Sequence, residues 1–203
     1  MVNLDKRRQV AKEAARLIYY GLAAEYYAAK REAAKSLGVK VLPTNKEIAE
    51  ELDQISEMLE GQERGELLKS MRSEALKIMK ILEEFNPVLV GSVWRGTAHR
   101  GSDIDIRVYS DDERAVLEAI NKSGYSVIRQ ERTVKTIGST KKTYLHIFLK
   151  TPQGYETEIV IRPLEDINLK EKCEIFGDDL KGLKLKALEE IMKDDPLKKF
   201  VPH

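Results

Sequence analysis

Over roughly the first 85 residues, apolar positions return every three or four places, the period of a helix face. Ala11, Ala15, Ile18, Leu22, Tyr26, Ala29 and Ala33 form the first stripe, read as one helix that Gly38 ends. Leu42-Pro43 extends the connection, and Thr44-Asn45-Lys46-Glu47 then has the S/T-x-x-E form of a capping box. Ile48, Leu52, Ile55 and Leu59 make a second stripe, closed by Gly61. A third stripe of Leu68, Met71, Ala75, Ile78, Met79 and Leu82 stops near Asn86-Pro87, because the residue before a proline is pushed out of the helical region.

The period changes after Pro87. Val88-Leu89-Val90 is a short apolar run ending at Gly91-Ser92, as a buried strand entering a turn does. From Asp103 to Tyr109 the alternation is strict, with Ile104, Ile106 and Val108 on one side and Asp103, Asp105, Arg107 and Tyr109 on the other. Ser110-Asp111-Asp112-Glu113 reads as a second capping box, opening a helix with Ala115, Val116, Leu117 and Ile120 that Gly124 ends. Residues 125–136 and 143–150 read as strands around the polar connection Ile137-Gly138-Ser139-Thr140. Thr151-Pro152-Gln153-Gly154 is a turn, and residues 155–162 are the strand leaving it. Leu183, Leu185, Leu188, Ile191 and Met192 predict one short helix, ended by Asp194-Asp195-Pro196. The expected fold class is α+β: a mixed twisted sheet backed by helices, with a helical region at 1–85, a core at 86–165 and a helical tail at 166–203.

Composition narrows the setting. A chain of 203 residues, 42% hydrophobic and 34% charged, is globular and long enough to bury a core without staples. Lys and Arg number 35 against 34 Asp and Glu, so no global basic field draws it to nucleic acid, and polyanion contact must be local. Cys173 is the single cysteine, which excludes an intrachain disulfide and a Cys-cluster zinc site. His99, His146 and His203 lack metal-ligand spacing. No apolar run approaches the ~20 residues of a membrane span, and the first eight residues lack a signal peptide's apolar core, so a cytoplasmic setting is expected.

Chemistry concentrates between Gly91 and Glu158. Two Mg²⁺ ions roughly 3.5–4 Å apart neutralise the attacking and leaving oxygens in phosphoryl chemistry. Mg²⁺ takes a few carboxylate oxygens and completes its shell with water and phosphate. Asp103 and Asp105 leave the same face of one strand, about 6.5–7 Å apart, close enough to share a metal pair. Gly91 permits a turn, and Ser92 offers a hydroxyl and a backbone N–H to a phosphate oxygen. Gly96-Thr97 and Gly101-Ser102 let backbone approach a ligand, and Arg95 and Arg100 carry positive charge in the same loop. On the later strand Glu156 and Glu158 share a face. Glu158 is the preferred third carboxylate, as metal ligand or general base, and Glu156 the alternative.

Gly91-Ser92-Val93-Trp94-Arg95-Gly96-Thr97, followed by Ser102-Asp103-Ile104-Asp105-Ile106, resembles the signature of the DNA polymerase beta nucleotidyltransferase superfamily. The Gly-Ser-x-x-x-Gly-Thr form is most similar to archaeal CCA-adding enzymes and small predicted archaeal nucleotidyltransferases. Gly154-Tyr155-Glu156-Thr157-Glu158-Ile159-Val160 is similar to the stretch carrying their third acid, with Glu where Asp is commoner. The resemblance covers roughly residues 86–163. It implies Asp103, Asp105 and Glu158 as catalytic and metal-binding residues for two Mg²⁺. It also implies Gly91, Ser92, Arg95, Thr97, Arg100 and Ser102 around an NTP such as ATP. The implied reaction moves an NMP to a hydroxyl acceptor, with tRNA, other RNA and protein left open. A non-catalytic nucleotide- or RNA-binding module and a toxin–antitoxin component are the other readings of the same fold.

Other residues read more plainly. Arg107 faces the aspartates' side and is expected either there or in an ion pair with one of them. Trp94 is expected to pack over the loop, His146 to be a strand residue with a satisfied hydrogen bond, and Tyr19, Tyr20, Tyr26 and Tyr27 to serve core and interface. Lys6-Arg7-Arg8 reads as a solvated helix start.

Overall fold

The computed structural model describes residues 2–137 and 140–202. Gly138 and Ser139, where the sequence predicts a connection, lie outside the described residues, as do Met1 and His203. The first apolar stripe forms two helices rather than one, α1 (Val2–Tyr19) and α2 (Tyr26–Ser36). Gly21 breaks it: at φ +67° it turns left-handed, its N–H donates to Ile18 O at 3.0 Å and the Leu22 N–H to Leu17 O at 2.8 Å. That pair of bonds is the Schellman closure of a helix. The capping box at Thr44 opens α3 (Asn45–Glu60) with both reciprocal bonds made. Gly61, at φ +53°, separates α3 from α4 (Gln62–Ile81), after which a 3₁₀ turn (Glu83–Phe85) and a left-handed Asn86 lead out.

Beyond Pro87 run β1 (Val88–Val90), the short helix α5 (Gly91–Arg95), β2 (Ile104–Tyr109) and α6 (Glu113–Lys122). The cap of α6 is Asp112, not Ser110, because the Asp112 carboxylate accepts from the Arg114 and Ala115 N–H groups. Ser110 is held elsewhere: its N–H donates to Arg162 O and its hydroxyl accepts from Asp112 N. A long hairpin follows, β3 (Ser126–Ile137) and β4 (Thr140–Lys150), then β5 (Glu156–Arg162), the two-residue β6 (Leu183–Lys184) and α7 (Leu185–Asp194).

The six strands form one sheet in the order β3-β4-β5-β2-β1-β6. Among the described residues only β2 and β5 pair in parallel, and the other neighbours are antiparallel. Period-two alternation gives this sheet two different faces. Ile104, Ile106, Val108, Ile159, Ile161, Leu145, Ile147 and Leu149 are buried on one face, in the core shared with α4, α6 and α7. The opposite face carries Asp103, Asp105, Arg107, Glu158, His146 and Phe148. Helices α1, α2 and α3 keep a second, smaller core built on Val10, Ala14, Ala33 and Ile48. Arg7 and Arg8 are not merely solvated: they bond Glu47 and Glu51 at 2.6 and 3.2 Å, tying α1 to α3. Among the described residues, no helix is long and apolar enough to cross a membrane.

Two arginines two helical turns apart on α4 hold the loop that follows β1. Arg72, fully buried, donates to Val93 O, Trp94 O, Pro196 O and Lys198 O at 2.7–3.1 Å. Arg64 donates to Thr97 O and Ala98 O at 3.0 and 2.9 Å, and pairs with Asp53 and Glu57. A planar guanidinium suits this work because its five donors diverge in a fixed fork. Burial lowers the Arg72 pKa to about 10, so the group keeps its charge at neutrality. Arg72→Met leaves four carbonyls without their donor and is expected to lower the unfolding free energy by about 3–5 kcal/mol. Urea denaturation measures it, and Arg72→Lys should recover only part of the loss.

Candidate active site

Backbone geometry at Gly91 decides where Asp105 sits. Val90 and Asp105 are register partners across β1 and β2, so the turn into α5 passes directly over the aspartate. Gly91 adopts φ +70°, and a Cβ there would lie 1.9 Å from Asp105 Oδ2. No side chain fits, so glycine is required twice over, by backbone conformation and by space. On the other side of β2 the parallel register sets Asp105 opposite Glu158. Asp103 lies two residues earlier on the same face, at the exposed rim. The Gly91 turn, the paired aspartates and Glu158 thus come from the end of β1, from β2 and from β5, side by side.

Electrostatically this is a site short of positive charge. Burial, reinforced by the Asp103 and Glu158 charges, pushes Asp105 up to about 8 against the opposing pull of Arg107. Asp103 is raised too, by the protein crowded round it and then by Glu158 and Glu156. Arg107 reaches neither aspartate; its guanidinium bonds Glu171 at 2.8 Å. Hard oxygen donors with raised proton affinity fit Mg²⁺, which takes one or two carboxylates and fills its shell with water and phosphate. Among the described residues, no three Asp, Glu, His or Cys side chains are gathered tightly enough to hold an ion alone.

A cleft of about 780 Å³ opens in front of the aspartates. Gly91, Ser92, Thr97, Arg100 and Ser102 line it together with Asp103, Asp105 and Glu156. Glu158 stands beyond Asp105, its Oε1 turned to His146 Nδ1 at 2.6 Å. Arg95 reaches the same cleft but its fork is filled: Asp178 takes two bonds at 2.7 and 2.8 Å and Phe200 O a third at 2.7 Å. Its guanidinium also stacks between Trp94 and Phe176, 4.1 and 5.1 Å from their ring centroids. Trp94 is buried by that packing. Arg100 is exposed and pairs with the equally exposed Glu63. Ser102 Oγ accepts the His99 N–H at 3.0 Å, and His99 Nδ1 accepts the Gly101 N–H at 3.1 Å, which fixes the loop before Asp103.

The nucleotidyltransferase domain family matches residues 72–176, just over half of the chain. This chain belongs to that family. Membership agrees with the polymerase-beta type of signature at Gly91-Ser92 and Asp103-Ile104-Asp105. No curated protein matches the chain. Among solved structures, a cytoplasmic RNA terminal U-transferase is similar at 19% identity over 58% of this chain and 34% of that one, with a TM-score of 0.33. The Cid1 poly(U) polymerase, as a mutant bound to MgATP, is similar at 18% identity over 47% of this chain and 32% of that one, with a TM-score of 0.32. The chain therefore spans about a third of the length of these polymerases.

Several participants went unseen in the sequence. His99, Arg64 and Arg72 fix the nucleotidyltransferase loop, and a segment around Cys173, Ile175, Phe176 and Leu180 forms one cleft wall. Helices α1 to α3 add to the lining through Ile18, Tyr26 and Leu52. Tyr19 and Tyr26 are partly buried as expected, but Tyr20 and Tyr27 are 58% and 63% exposed, since they follow the turn of their helices outward. Glu171 anchors the tail to the sheet face that carries the aspartates, bonding Arg107, Arg162 and Lys135 at 2.8, 2.7 and 3.1 Å. Burial alone would raise Glu171, yet the Arg162, Arg107 and Lys135 charges override it and bring the group down to about 2.

A depressed carboxyl stabilises the fold fully above its unfolded value, about 4.3, and loses that contribution as pH falls through the folded value. Glu171→Gln should therefore be less stable than wild type at pH 7. The gap in melting temperature should close as pH is lowered from about 4 towards about 2, followed by circular dichroism.

Proposed function

We propose that the chain transfers a nucleoside monophosphate from an NTP to a hydroxyl acceptor, with Mg²⁺ held at Asp103 and Asp105 and Glu158 completing the acceptor side. The observation that carries this reading is the row Val90–Asp105–Glu158 across β1, β2 and β5, with Gly91, directly after Val90, pressed against the Asp105 carboxylate. In the reaction an acceptor oxygen bonds to the α-phosphorus. The bond from that phosphorus to the β-bridging oxygen breaks, pyrophosphate leaves, and the acceptor's proton passes to a carboxylate or to water. Mg²⁺, when bound, neutralises charge on the attacking and leaving oxygens.

Ser92, with the Gly91 backbone, faces the triphosphate, and Thr97 and Ser102 extend that polar edge. Arg100 is the cation available to phosphate, because an exposed pair with Glu63 holds it weakly. Arg95 supports the loop rather than the ligand, given its bonds to Asp178 and Phe200. A cleft of about 780 Å³ lies within the usual range for small-molecule sites and has room for a nucleotide with an acceptor group beside it. RNA, tRNA and protein hydroxyls are the acceptor classes to be tried.

Purified protein with Mg²⁺ and labelled NTPs, offered tRNA, generic RNA and protein, should label one of these acceptors. Asp103→Asn and Asp105→Asn should reduce labelling to background. Gly91→Ala should lower it by about 10²-fold, since an ångström of displacement at Asp105 is costly in rate. No labelling of any acceptor, or equal labelling by the doubly substituted chain, would sink the reading. Nucleotide binding that ignores Mg²⁺ and leads to no transfer would replace it with a binding module.

A further inference from the structure

Four polar residues lie on one diagonal across the open face of the sheet. Asp105 on β2 is opposite Glu158 on β5. His146 on β4 is opposite Val160, so it meets Glu158 on the diagonal, where long side chains still reach. Thr133 on β3 is placed likewise, one diagonal from His146. The side chains close this line: His146 Nδ1 is 2.6 Å from Glu158 Oε1, and His146 Nε2 is 2.7 Å from Thr133 Oγ1. His146 and Glu158 are both largely sheltered, with side chains 18% and 23% exposed.

We infer that His146, oriented by Thr133, is a positioning residue that holds Glu158 for the acceptor side of the reaction. This rests on the proposed role of Glu158. A carboxylate only accepts, so the bond to Glu158 is donated by His146 Nδ1–H, while Thr133, whose hydroxyl both donates and accepts, holds the ring at Nε2. The tether uses Oε1 of a residue whose register partner is Asp105. A glutamate has three side-chain torsions to restrain, and a histidine anchored at both ring nitrogens removes that freedom before any ligand arrives. Phe148, directly opposite Glu158 in the register and covered by Arg129 at 3.9 Å, walls the carboxylate on its other flank. The donor loop at Gly91 lies across β2 from all of this, so the tether touches the acceptor side alone.

The two ring nitrogens make a discriminating test available. Asparagine places its amide nitrogen where Nδ1 stands, whereas glutamine places it nearer Nε2. Transfer to whichever acceptor the wild type labels should fall about 10–100-fold in kcat for His146→Ala, with KM for the NTP within about twofold of wild type. His146→Asn should recover most of the loss and His146→Gln little of it. A second readout needs no acceptor: Mn²⁺ bound in the presence of a non-hydrolysable ATP analogue, followed by electron paramagnetic resonance. Its half-saturation should rise roughly tenfold in His146→Ala and stay near wild type in His146→Asn. Unchanged kcat and Mn²⁺ binding in His146→Ala overturn the inference. So does equal damage in the Asn and Gln variants, or a parallel rise in NTP KM with a lowered melting temperature, because either marks a structural role. Glu158→Gln separates the two levels. If it is fully active, the role given to Glu158 fails; if it is inactive while His146→Ala is unimpaired, only the tether does.

Discussion

The site depends on backbone carbonyls that two buried arginines satisfy. A loop crossing from β1 to β2 exposes a run of main-chain oxygens that neither strand can pair. Arg72 meets Val93 and Trp94, and Arg64 meets Thr97 and Ala98, so one helix holds both halves of that loop. Unpaired, each buried carbonyl would cost on the order of 1–3 kcal/mol, enough in sum to pull the loop off the core. With the loop anchored, Gly91 stays pressed against Asp105. The closest approach in the site is thus maintained from α4, on the far side of the sheet.

The distribution of charge follows the same division of labour. Arginines near the site have their own acids: Arg95 has Asp178, Arg107 and Arg162 share Glu171, and Arg64 has Asp53. These pairs fasten the tail and the helical region around the face that carries the aspartates. Asp105 and Asp103 are left without such a partner, and burial first, then the neighbouring acids, raises both. Such an arrangement favours whatever brings positive charge, and burial of its ligands makes that preference stronger than it would be in water.

Much of this was legible in the chain because it is local. Alternation over residues 103–109 gives the strand and the face of each aspartate. Thr44 to Glu47 is a helix start by composition alone, and Gly91-Ser92 ends an apolar run. What failed to show depended on distant partners. The stripe from Ile18 through Leu22 to Tyr26 keeps helical spacing across Gly21, so periodicity runs through a turn that only the backbone reveals. Ser110 matched a capping box, yet the Arg162 carbonyl drew it to the sheet and left the cap to Asp112. Arg64, Leu68 and Arg72 share one face at steps of four, but arginine on a helix reads as solvent-facing unless its carbonyl partners are known. Arg95 reads as a phosphate ligand for the same reason: Asp178 is far along the chain.

The parallel pairing of β2 with β5 has a consequence for how the protein comes to exist. Its helices and the β3–β4 hairpin close over short sequence distances, whereas Asp105 and Glu158 must find each other across about fifty residues. Pairings of that kind carry the greater loop-closure cost and form late. A chain caught before that closure holds both aspartates on a formed strand without Glu158 beside them. The row of acids is therefore complete only once the parallel pair has closed.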